Sequence, residues 1–225
     1  MRPGTATERP AVTREAVVDA ALDLLAEGGL EAVSFRRVAA RLGVSGPTLY
    51  WHVENKRQLM DLMAEELLRR TGRVYAGPEE GQPWWEWLRE DARRTFTALV
   101  ATRDAPRVVA GNRPSPESFA GIERVLGVLV AAGLRPGEAQ QALFALGSYV
   151  IGSAVEWQAE ADRGRSQPPA PGGEDPAARR ACALAGQPLL LAAITELVRH
   201  PHGAAFEFGL DLLVEGLRAR YAGEA

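Results

Sequence analysis

Residues 46–59 read GPTLYWHVENKRQL and bring several polar-tipped side chains together just after a Gly-Pro pair. One of the three histidines, His52, lies here, close to the only lysine, Lys56. Two aromatic residues, Tyr50 and Trp51, immediately precede the histidine. A phenol, an imidazole and an ammonium group can each reach a phosphate oxygen, so this spacing indicates contact with a phosphate backbone.

Two short helices are predicted before and within this stretch. Ser34 is a candidate N-cap of the first, which Gly43 ends after about two turns. Ser45 is a candidate N-cap of the second, at about 46–52, and Pro47 lies in its first turn, where a missing N–H is tolerated. Two short helices joined by a turn form a helix-turn-helix, whose second helix lies in the major groove and presents its N-terminal residues to base edges.

A longer helix is predicted to follow at 54–74. Asn55, with Gln58 three positions later, has the pattern of a capping box, and apolar residues then continue at helical spacing. The first N–H groups of this helix, together with Lys56, predict a phosphate site.

The side chains of the helix-turn-helix suit contact with DNA. Thr48 offers a hydroxyl and a methyl group, and Pro47 offers a flat apolar surface for thymine methyl groups. Arg36, on the preceding helix, can bind a guanine edge through two hydrogen bonds. For Tyr50 and Trp51, packing in the protein core is the alternative, which for Trp51 is at least equal to DNA contact, and for the arginines a solvated face is the alternative. The predicted DNA-binding residues are Arg36, Ser45, Pro47, Thr48, Tyr50, Trp51, His52 and Lys56.

The local charge also favours DNA binding. Residues 34–57 carry five basic side chains and one acidic side chain, a net charge of +4, whereas the whole chain carries −3. A basic face on an acidic protein is the pattern expected of a DNA-binding unit. The overall acidity excludes a polycation that binds nucleic acid along its whole length.

The chain as a whole is predicted to be all-α. Apolar residues recur at helical spacing along its 225 residues, and a hydrophobic content of 46% supports a sizeable core. Its predicted domains are an N-terminal helix-turn-helix DNA-binding domain with an N-terminal arm, a connecting helix, and a C-terminal helical bundle for ligand binding and dimerisation, at 1–53, 54–74 and 75–225. Within the bundle, helices are predicted at 84–101, 115–133, 137–162, 184–199 and 204–221, with a mobile Pro/Gly-rich loop at 164–176.

Several other classes of protein are disfavoured. Cys182 is alone, which excludes a disulfide framework and a cysteine-based metal site. The N-terminus has no signal-peptide pattern, and the longest apolar run, 142–155, is too short to cross a bilayer, so we expect a cytoplasmic protein with no membrane partner. An enzyme is the alternative from another class, but no catalytic triad, phosphate-binding glycine loop or metal cluster is apparent. The sequence therefore predicts no enzymatic activity, no cofactor and no metal.

The stretch RVAARLGVSGPTLYWHVENKRQLMD resembles the helix-turn-helix of the tetracycline-repressor (TetR) family of bacterial regulators. The segments GNRPSPESF at 111–119 and FEFGLDLLVEGL at 206–217 resemble parts of the regulatory domain of the tetracycline repressors. The resemblance implies a homodimeric repressor of a palindromic operator, with an inducer pocket in the bundle and a dimer interface formed by the last long helices. It also implies that inducer binding moves the helix at 54–74 and spreads the two reading helices. Broad apolar faces at 137–162 and 204–221 independently favour a two-fold dimer, with packing inside one subunit as the alternative.

The tetracycline site that the resemblance implies is largely missing. The histidine that binds the drug–magnesium complex in those repressors falls on Val109, and a valine cannot ligate a metal. A second drug-binding histidine falls on Gly72, and the expected amides fall on Asp91 and Val125. We therefore predict a small-molecule inducer other than magnesium-tetracycline.

The inducer pocket is predicted from positions that the resemblance relates to it. Arg113 is kept, and it could hold a carboxylate or carbonyl group of the inducer or form a salt bridge at a helix end. Glu156 matches the acidic residue that supports the metal through water. The predicted set is a mostly apolar cleft with a few polar anchors, and it comprises Phe96, Val109, Asn112, Arg113, Val125, Glu156 and Trp157.

The reading helix departs from the tetracycline repressors as well, because Gly46 replaces a long polar base-reading residue. A glycine has no side chain to bind a base, so the operator sequence is expected to differ. A helix-turn-helix regulator whose bundle only dimerises or recruits a partner, with no inducer, stays an alternative. An activator is not distinguished from a repressor.

Overall fold

The computed structural model describes residues 12–71, 75–166, 182–184, 186–199 and 203–221. All regular structure within these ranges is helical, which confirms the all-α fold. No described helix is both long and apolar enough to cross a membrane.

Four helices form the N-terminal part: α1 at Arg14–Gly28, α2 at Phe35–Leu42, α3 at Gly46–Leu49 and α4 at Lys56–Arg69. Side-chain caps begin three of them. The capping oxygens of Thr13, Ser34 and Asn55 accept hydrogen bonds at 3.2, 3.4 and 2.9 Å from the N–H groups of Ala16, Arg37 and Gln58. The predicted caps Ser34 and Asn55 are confirmed, and so is the end of α2 at Gly43, which has a left-handed φ of 67°.

The start and end of α3 differ from the prediction. The Ser45 side chain does not cap the helix, because its Oγ lies 2.8 Å from Thr48 Oγ1 instead. α3 also ends at Leu49 rather than at residue 52, and the chain continues in tighter turns. Asn55, six residues further on, has an extended backbone with φ −159° and caps α4.

The N-terminal helices close around one apolar core. At most 1% of each of six side chains from α1 to α4 and the turn after α3 is exposed, and these are Leu25, Val38, Leu49, Val53, Leu59 and Met63. Because Leu49 and Val53 both point inward, the opposite side of the α3 region faces solvent.

The C-terminal part contains α5 at Trp84–Ala101, α6 at Ala105–Val109, α7 at Phe119–Ala131, α8 at Pro136–Ser166, α9 at Pro188–Arg199 and α10 at Ala204–Tyr221. α5 and α10 have the predicted bounds, whereas α6 was not predicted. The helix predicted at 115–133 is a 3-10 turn, Pro116–Ser118, followed by α7. α8 continues into the loop predicted at 164–176, the rest of which lies outside the described residues, as does Gly72.

α5 is the central helix of this part and packs against α8 and α10. Arg89 donates to Asp211 at 2.9 Å and to Glu215 at 2.7 Å, and Arg93 binds Glu207 at 2.7 Å. These ion pairs hold the outer side of α5 against α10, while its inner side packs into the core of the bundle.

The apolar faces of α8 and α10 are divided between the inside and the outside of the subunit. Four apolar side chains are buried within the subunit, namely Leu146, Val150, Phe206 and Leu210. These four residues therefore pack inside one chain, which was the alternative to a dimer face. The large apolar side chains left exposed on these helices and on α9 are Phe144 and Val155 on α8, Phe208 and Leu212 on α10, and Leu189, Leu190 and Leu197 on α9.

Candidate nucleic-acid interface and ligand cavity

The first candidate site surrounds α3. None of the eight predicted DNA-binding side chains is buried. Thr48 and His52 are partly exposed, and the exposed ones are Arg36, Ser45, Pro47, Tyr50, Trp51 and Lys56. The structure therefore presents all eight residues to solvent on or beside the short helix α3.

The two aromatic residues after α3 are placed differently from each other. Trp51 is 88% exposed, so the alternative that it packs in the core is wrong. Tyr50 is 59% exposed, and its ring stacks on Phe35 with centroids 5.1 Å apart. The tyrosine thus rests its apolar ring on α2 and leaves part of its side chain to solvent, as amphipathic side chains do.

The basic side chains of this surface fall into two groups. Arg41 pairs with Glu27 at 2.5 Å, a hydrogen bond that lowers the pKa of the Glu27 carboxyl group, and Arg57 pairs with Asp61 at 2.9 Å. By contrast, no carboxylate in the described part of the chain lies within 4.0 Å of the charged groups of the other three, Arg36, Arg37 and Lys56, although the charge of Arg37 also helps to lower the pKa of Glu27. These three charges are available to an anionic partner.

The start of α4 adds backbone donors to this surface. Asn55 Oδ1 accepts the N–H of Gln58, and Gln58 Oε1 accepts the N–H of Glu54 at 2.6 Å. These bonds leave the first N–H groups of α4 beside the exposed Lys56, and such groups at a helix N-terminus favour a phosphate.

The second candidate site is a cavity of about 610 Å³ among α4, α5, α7, α8 and the loop between α6 and α7, here called the ligand cavity. Its walls are mainly apolar and include Trp87, Leu88, Ile122, Leu143, Phe144 and Leu146. Polar groups come from Tyr75, Asp91, Thr95, Asn112, Gln140 and Ser148. Such a composition is typical of small-molecule sites.

The structure does not bring the seven predicted ligand-binding residues into one place. Only Val109, Asn112 and Val125 line the ligand cavity. Arg113 has an exposed side chain that lines neither this cavity nor the next one described, and its backbone N–H donates to Asp61 at 3.1 Å.

Phe96, Glu156 and Trp157 line a different cavity, of about 810 Å³, between α5, α8 and the start of α10. The Phe96 ring stacks on Phe206 with centroids 3.9 Å apart, and it meets Trp157 edge-on at 5.8 Å. Different faces of α8 border the two cavities, because Val150 and Ile151 line the ligand cavity whereas Gly152, Glu156 and Trp157 line the other one.

Sequence reasoning missed most of the ligand cavity. Trp87 and Leu88 belong to the apolar face of α5, and Leu143 and Leu146 belong to the apolar run of α8. The helical spacing of these residues signals burial but does not show whether they pack closely or line a cavity. The residues of α8 were also interpreted as a dimer face.

Two carboxylates connect α4 to the loop that borders the ligand cavity. Glu65 Oε1 accepts hydrogen bonds from the Ser115 backbone N–H at 2.5 Å and from the Ser118 hydroxyl at 2.8 Å. Asp61 accepts the N–H of Arg113, as noted above, and its partner Arg57 also donates to the Gly111 carbonyl oxygen. The α6–α7 loop is therefore bonded to the same helix that carries Lys56 at its start.

Comparison with known proteins gives one consistent result. The family model described as bacterial regulatory proteins, tetR family, matches residues 17–63, and the model described as tetracyclin repressor-like, C-terminal domain, matches residues 77–221. The class G tetracycline repressor protein of Vibrio anguillarum is 38% identical over 200 residues, which cover 89% of this chain and 90% of that relative.

Solved structures agree in fold along nearly the whole chain. A variant of TetR from Acinetobacter baumannii AYE, in complex with minocycline, is 33% identical with a TM-score of 0.73, and the match covers 95% of this chain and 97% of that chain. ActR of Streptomyces coelicolor, in complex with actinorhodin, is 28% identical with a TM-score of 0.74, and the match covers 95% and 99% of the two chains.

Proposed function

The chain belongs to the TetR family of bacterial regulators, and from that premise we propose that it is a ligand-responsive transcriptional repressor rather than an enzyme. It binds a palindromic operator as a homodimer and is released by a small-molecule inducer other than magnesium-tetracycline. Residues 1–53 form the DNA-binding domain, and residues 75–225 bind the inducer and form the dimer. The helix at 54–74 connects these two domains. The protein acts in the cytoplasm, where bacterial DNA lies.

The observation that carries this proposal is the surface around α3. An acidic chain presents Arg36, Arg37 and Lys56 without carboxylate partners in its described part, next to an almost fully exposed Trp51. Leaving these groups in solvent contributes nothing to the fold, whereas a phosphate backbone would satisfy all three charges.

A gel-shift of the purified protein against the DNA that flanks its own gene tests the proposal. We expect a saturable shift that one compound of a small-molecule panel abolishes, and the panel includes tetracycline with magnesium. Release by magnesium-tetracycline would contradict the interpretation of Val109. A protein that shifts neither flanking DNA nor any sequence selected from a random DNA pool would contradict DNA binding itself.

The Lys56→Ala variant is expected to lose one phosphate contact. Operator binding should weaken about equally for all DNA sequences, and the slope of log affinity against log salt concentration should fall by about one unit. Binding isotherms at several salt concentrations measure this slope. Arg135→Ala is the matched control, because it removes an exposed cation that pairs with Glu138 at 2.7 Å, outside the DNA-binding surface. An unchanged slope for Lys56→Ala would exclude the phosphate contact.

The exposed apolar side chains support the homodimer. Phe144, Phe208 and Leu212 leave large apolar surfaces in water on α8 and α10, and α9 exposes three leucines. A second copy of the chain, related by two-fold symmetry, would bury both sets at once.

The walls of the ligand cavity support an inducer with a large apolar framework. Trp87 and Val109 are almost fully buried there, and the hydrocarbon side chain of Val109 cannot ligate a metal. The two similar structures reported above are complexes with minocycline and actinorhodin, which are both fused-ring compounds. We infer a fused-ring or similarly broad apolar inducer, held by a few hydrogen bonds from Thr95, Asn112 and Gln140.

Coupling between the inducer and DNA is expected to pass through Glu65. The Glu65→Ala variant leaves the Ser115 N–H and the Ser118 hydroxyl without their acceptor on α4, so the start of α7 can move without α4 while Asp61 and Arg57 still hold residues 111–113. The inducer should still bind, but its effect on operator affinity should fall from the usual 5- to 150-fold range towards none. Operator titrations with and without saturating inducer measure this ratio.

The neighbouring Glu66→Ala variant is the control for this prediction. Glu66 lies on the same helix but pairs with Arg69 at 2.6 Å and Arg70 at 2.8 Å instead of the loop. Its removal should preserve the response to inducer. Equal responses in the wild type, Glu65→Ala and Glu66→Ala would show that the Glu65 hydrogen bonds do not transmit the signal.

A further inference from the structure

Tyr75 separates the ligand cavity from a second space. The second space is a cleft of about 670 Å³ between α1, α4 and α7, lined among others by Val18, Leu62 and Glu65, and it is called the interdomain cleft below. Tyr75 lines both, and it is the only residue shared by the two linings as far as the chain is described. Its half-buried side chain is therefore a partition between the place where the inducer would bind and the surfaces of α1 and α4.

The backbone at this partition is held in an unusual conformation. Tyr75 has a φ of 65°, in the left-handed region that residues with a side chain rarely adopt. Arg124, on α7, donates a hydrogen bond at 3.2 Å to the Tyr75 carbonyl oxygen. Residues kept in such conformations cluster at functional sites, where the surrounding structure compensates for the strain.

The Tyr75 side chain presses directly on α7. A Cβ atom added at Gly121 would lie 2.6 Å from both Cβ and Cγ of Tyr75, so only a glycine permits this contact. Ser118, which donates to Glu65 on α4, precedes Gly121 by one turn. Burial raises the pKa of the Tyr75 phenol, and the neighbouring Ser118 hydroxyl partly opposes that rise. The tyrosine ring thus contacts α7, and the residue just before α7, Ser118, is in turn bonded to α4.

We propose that Tyr75 is the positioning residue that transmits inducer binding to α4. A ligand that fills the ligand cavity would press the ring towards α7 and the interdomain cleft. The start of α7 would then move, and with it Ser118, whose hydrogen bond to Glu65 carries the displacement to α4. This inference rests on the proposed function and specifies how its ligand site is connected to its DNA-binding surface.

The Gly121→Ala variant tests the proposal without any ligand. The added methyl group forces the Tyr75 ring and α7 apart and so displaces the start of α7, as the inducer would, and operator affinity should fall by roughly 5- to 150-fold. Gly127→Ala is the matched control on the same helix, because an added Cβ there has no neighbour within 4 Å. Fluorescence anisotropy with operator selected from a random DNA pool measures the affinities, and thermal melting shows that each variant is folded.

Two double variants separate transmission from a general disturbance. Tyr75→Gly, which suits a positive φ, removes the atoms that the new methyl group meets, so Gly121→Ala should have no further effect in that background. In a Glu65→Ala background the effect of Gly121→Ala on operator affinity should also disappear. A purely structural effect of Gly121→Ala would instead add to the effect of Glu65→Ala. The Tyr75→Trp variant provides a second approach if Gly121→Ala does not fold, because its larger ring should weaken operator binding as well.

The outcomes distinguish the inference from the proposed function. The role of Tyr75 would be overturned by wild-type operator affinity in both Gly121→Ala and Tyr75→Trp, or by additive effects in the double variants. Neither result would contradict the proposed repressor function. A wild-type protein that binds no selected DNA would overturn both.

Discussion

Gly147→Trp is expected to abolish inducer binding. Gly147 lies on α8 and lines the ligand cavity, and an added Cβ there would have no neighbour within 4 Å. An indole attached at this position can therefore enter the cavity without first displacing the wall. It would occupy the space that a broad apolar inducer needs, so we expect inducer affinity to fall by at least about a hundredfold, or roughly 2.7 kcal/mol. Calorimetric titration with the inducer found by gel-shift measures the loss.

Two further variants make this result specific to one cavity. Gly152→Trp places the same ring five residues further along α8, where it enters the cavity lined by Phe96, Glu156 and Trp157. Inducer binding should survive there, and it should survive in Gly147→Ala, whose methyl group is small. The reverse pattern, with binding lost only in Gly152→Trp, would place the inducer in the cavity lined by Phe96, Glu156 and Trp157 instead.

The helix-turn-helix could be predicted from the sequence because its signals are local. A cap such as Ser34 or Asn55 acts on an N–H group three positions away, and Gly43 adopts the left-handed conformation that its own lack of a side chain permits. These effects do not depend on the rest of the fold, so the observed helix starts at these positions match the predicted ones.

The fate of Trp51 could not be predicted in this way. Its helical position does not show which side chains close the core, and an indole suits both an interior and a DNA surface. The structure shows that Leu49 and Val53 fill the core at this point. The space left for Trp51 is therefore outside, which removes the alternative that the sequence left open.

The ligand cavity was the hardest part to predict, because it is formed where helices from distant parts of the chain do not quite meet. Val109 lies on α6, a helix of only five residues that shows no periodic pattern. Phe96 and Trp157 are aromatic residues in suitable helices, but their rings pack against each other and away from Val109. Periodicity indicates which residues are inside, and it does not indicate which inward faces enclose an empty space.

Arg36→Ala is expected to change which DNA sequence is bound as well as how tightly. An arginine that binds a guanine through two hydrogen bonds contributes about 1–3 kcal/mol of discrimination at one base pair of each half-site. The exposed Arg36 side chain has no carboxylate partner in the described part of the chain, so its loss should not weaken the fold. Selection of binding sites from a random DNA pool, with the wild type and the variant in parallel, should show one position per half-site that loses its preference.

Arg37→Ala is the control that distinguishes base reading from charge. Arg37 adjoins Arg36 on α2, is equally exposed and carries the same charge, so a phosphate contact there would weaken all sequences alike. If Arg36→Ala also weakens all sequences alike, then both arginines bind phosphates.

Because Gly46 has no side chain with which to contact a base, discrimination would then rest on Pro47, Thr48 and Tyr50, whose contacts are mostly apolar or single hydrogen bonds. An operator read in that way should tolerate substitutions more readily than one read through a guanine–arginine pair, and the same selection experiment would show this as a broader set of bound sequences for the wild type.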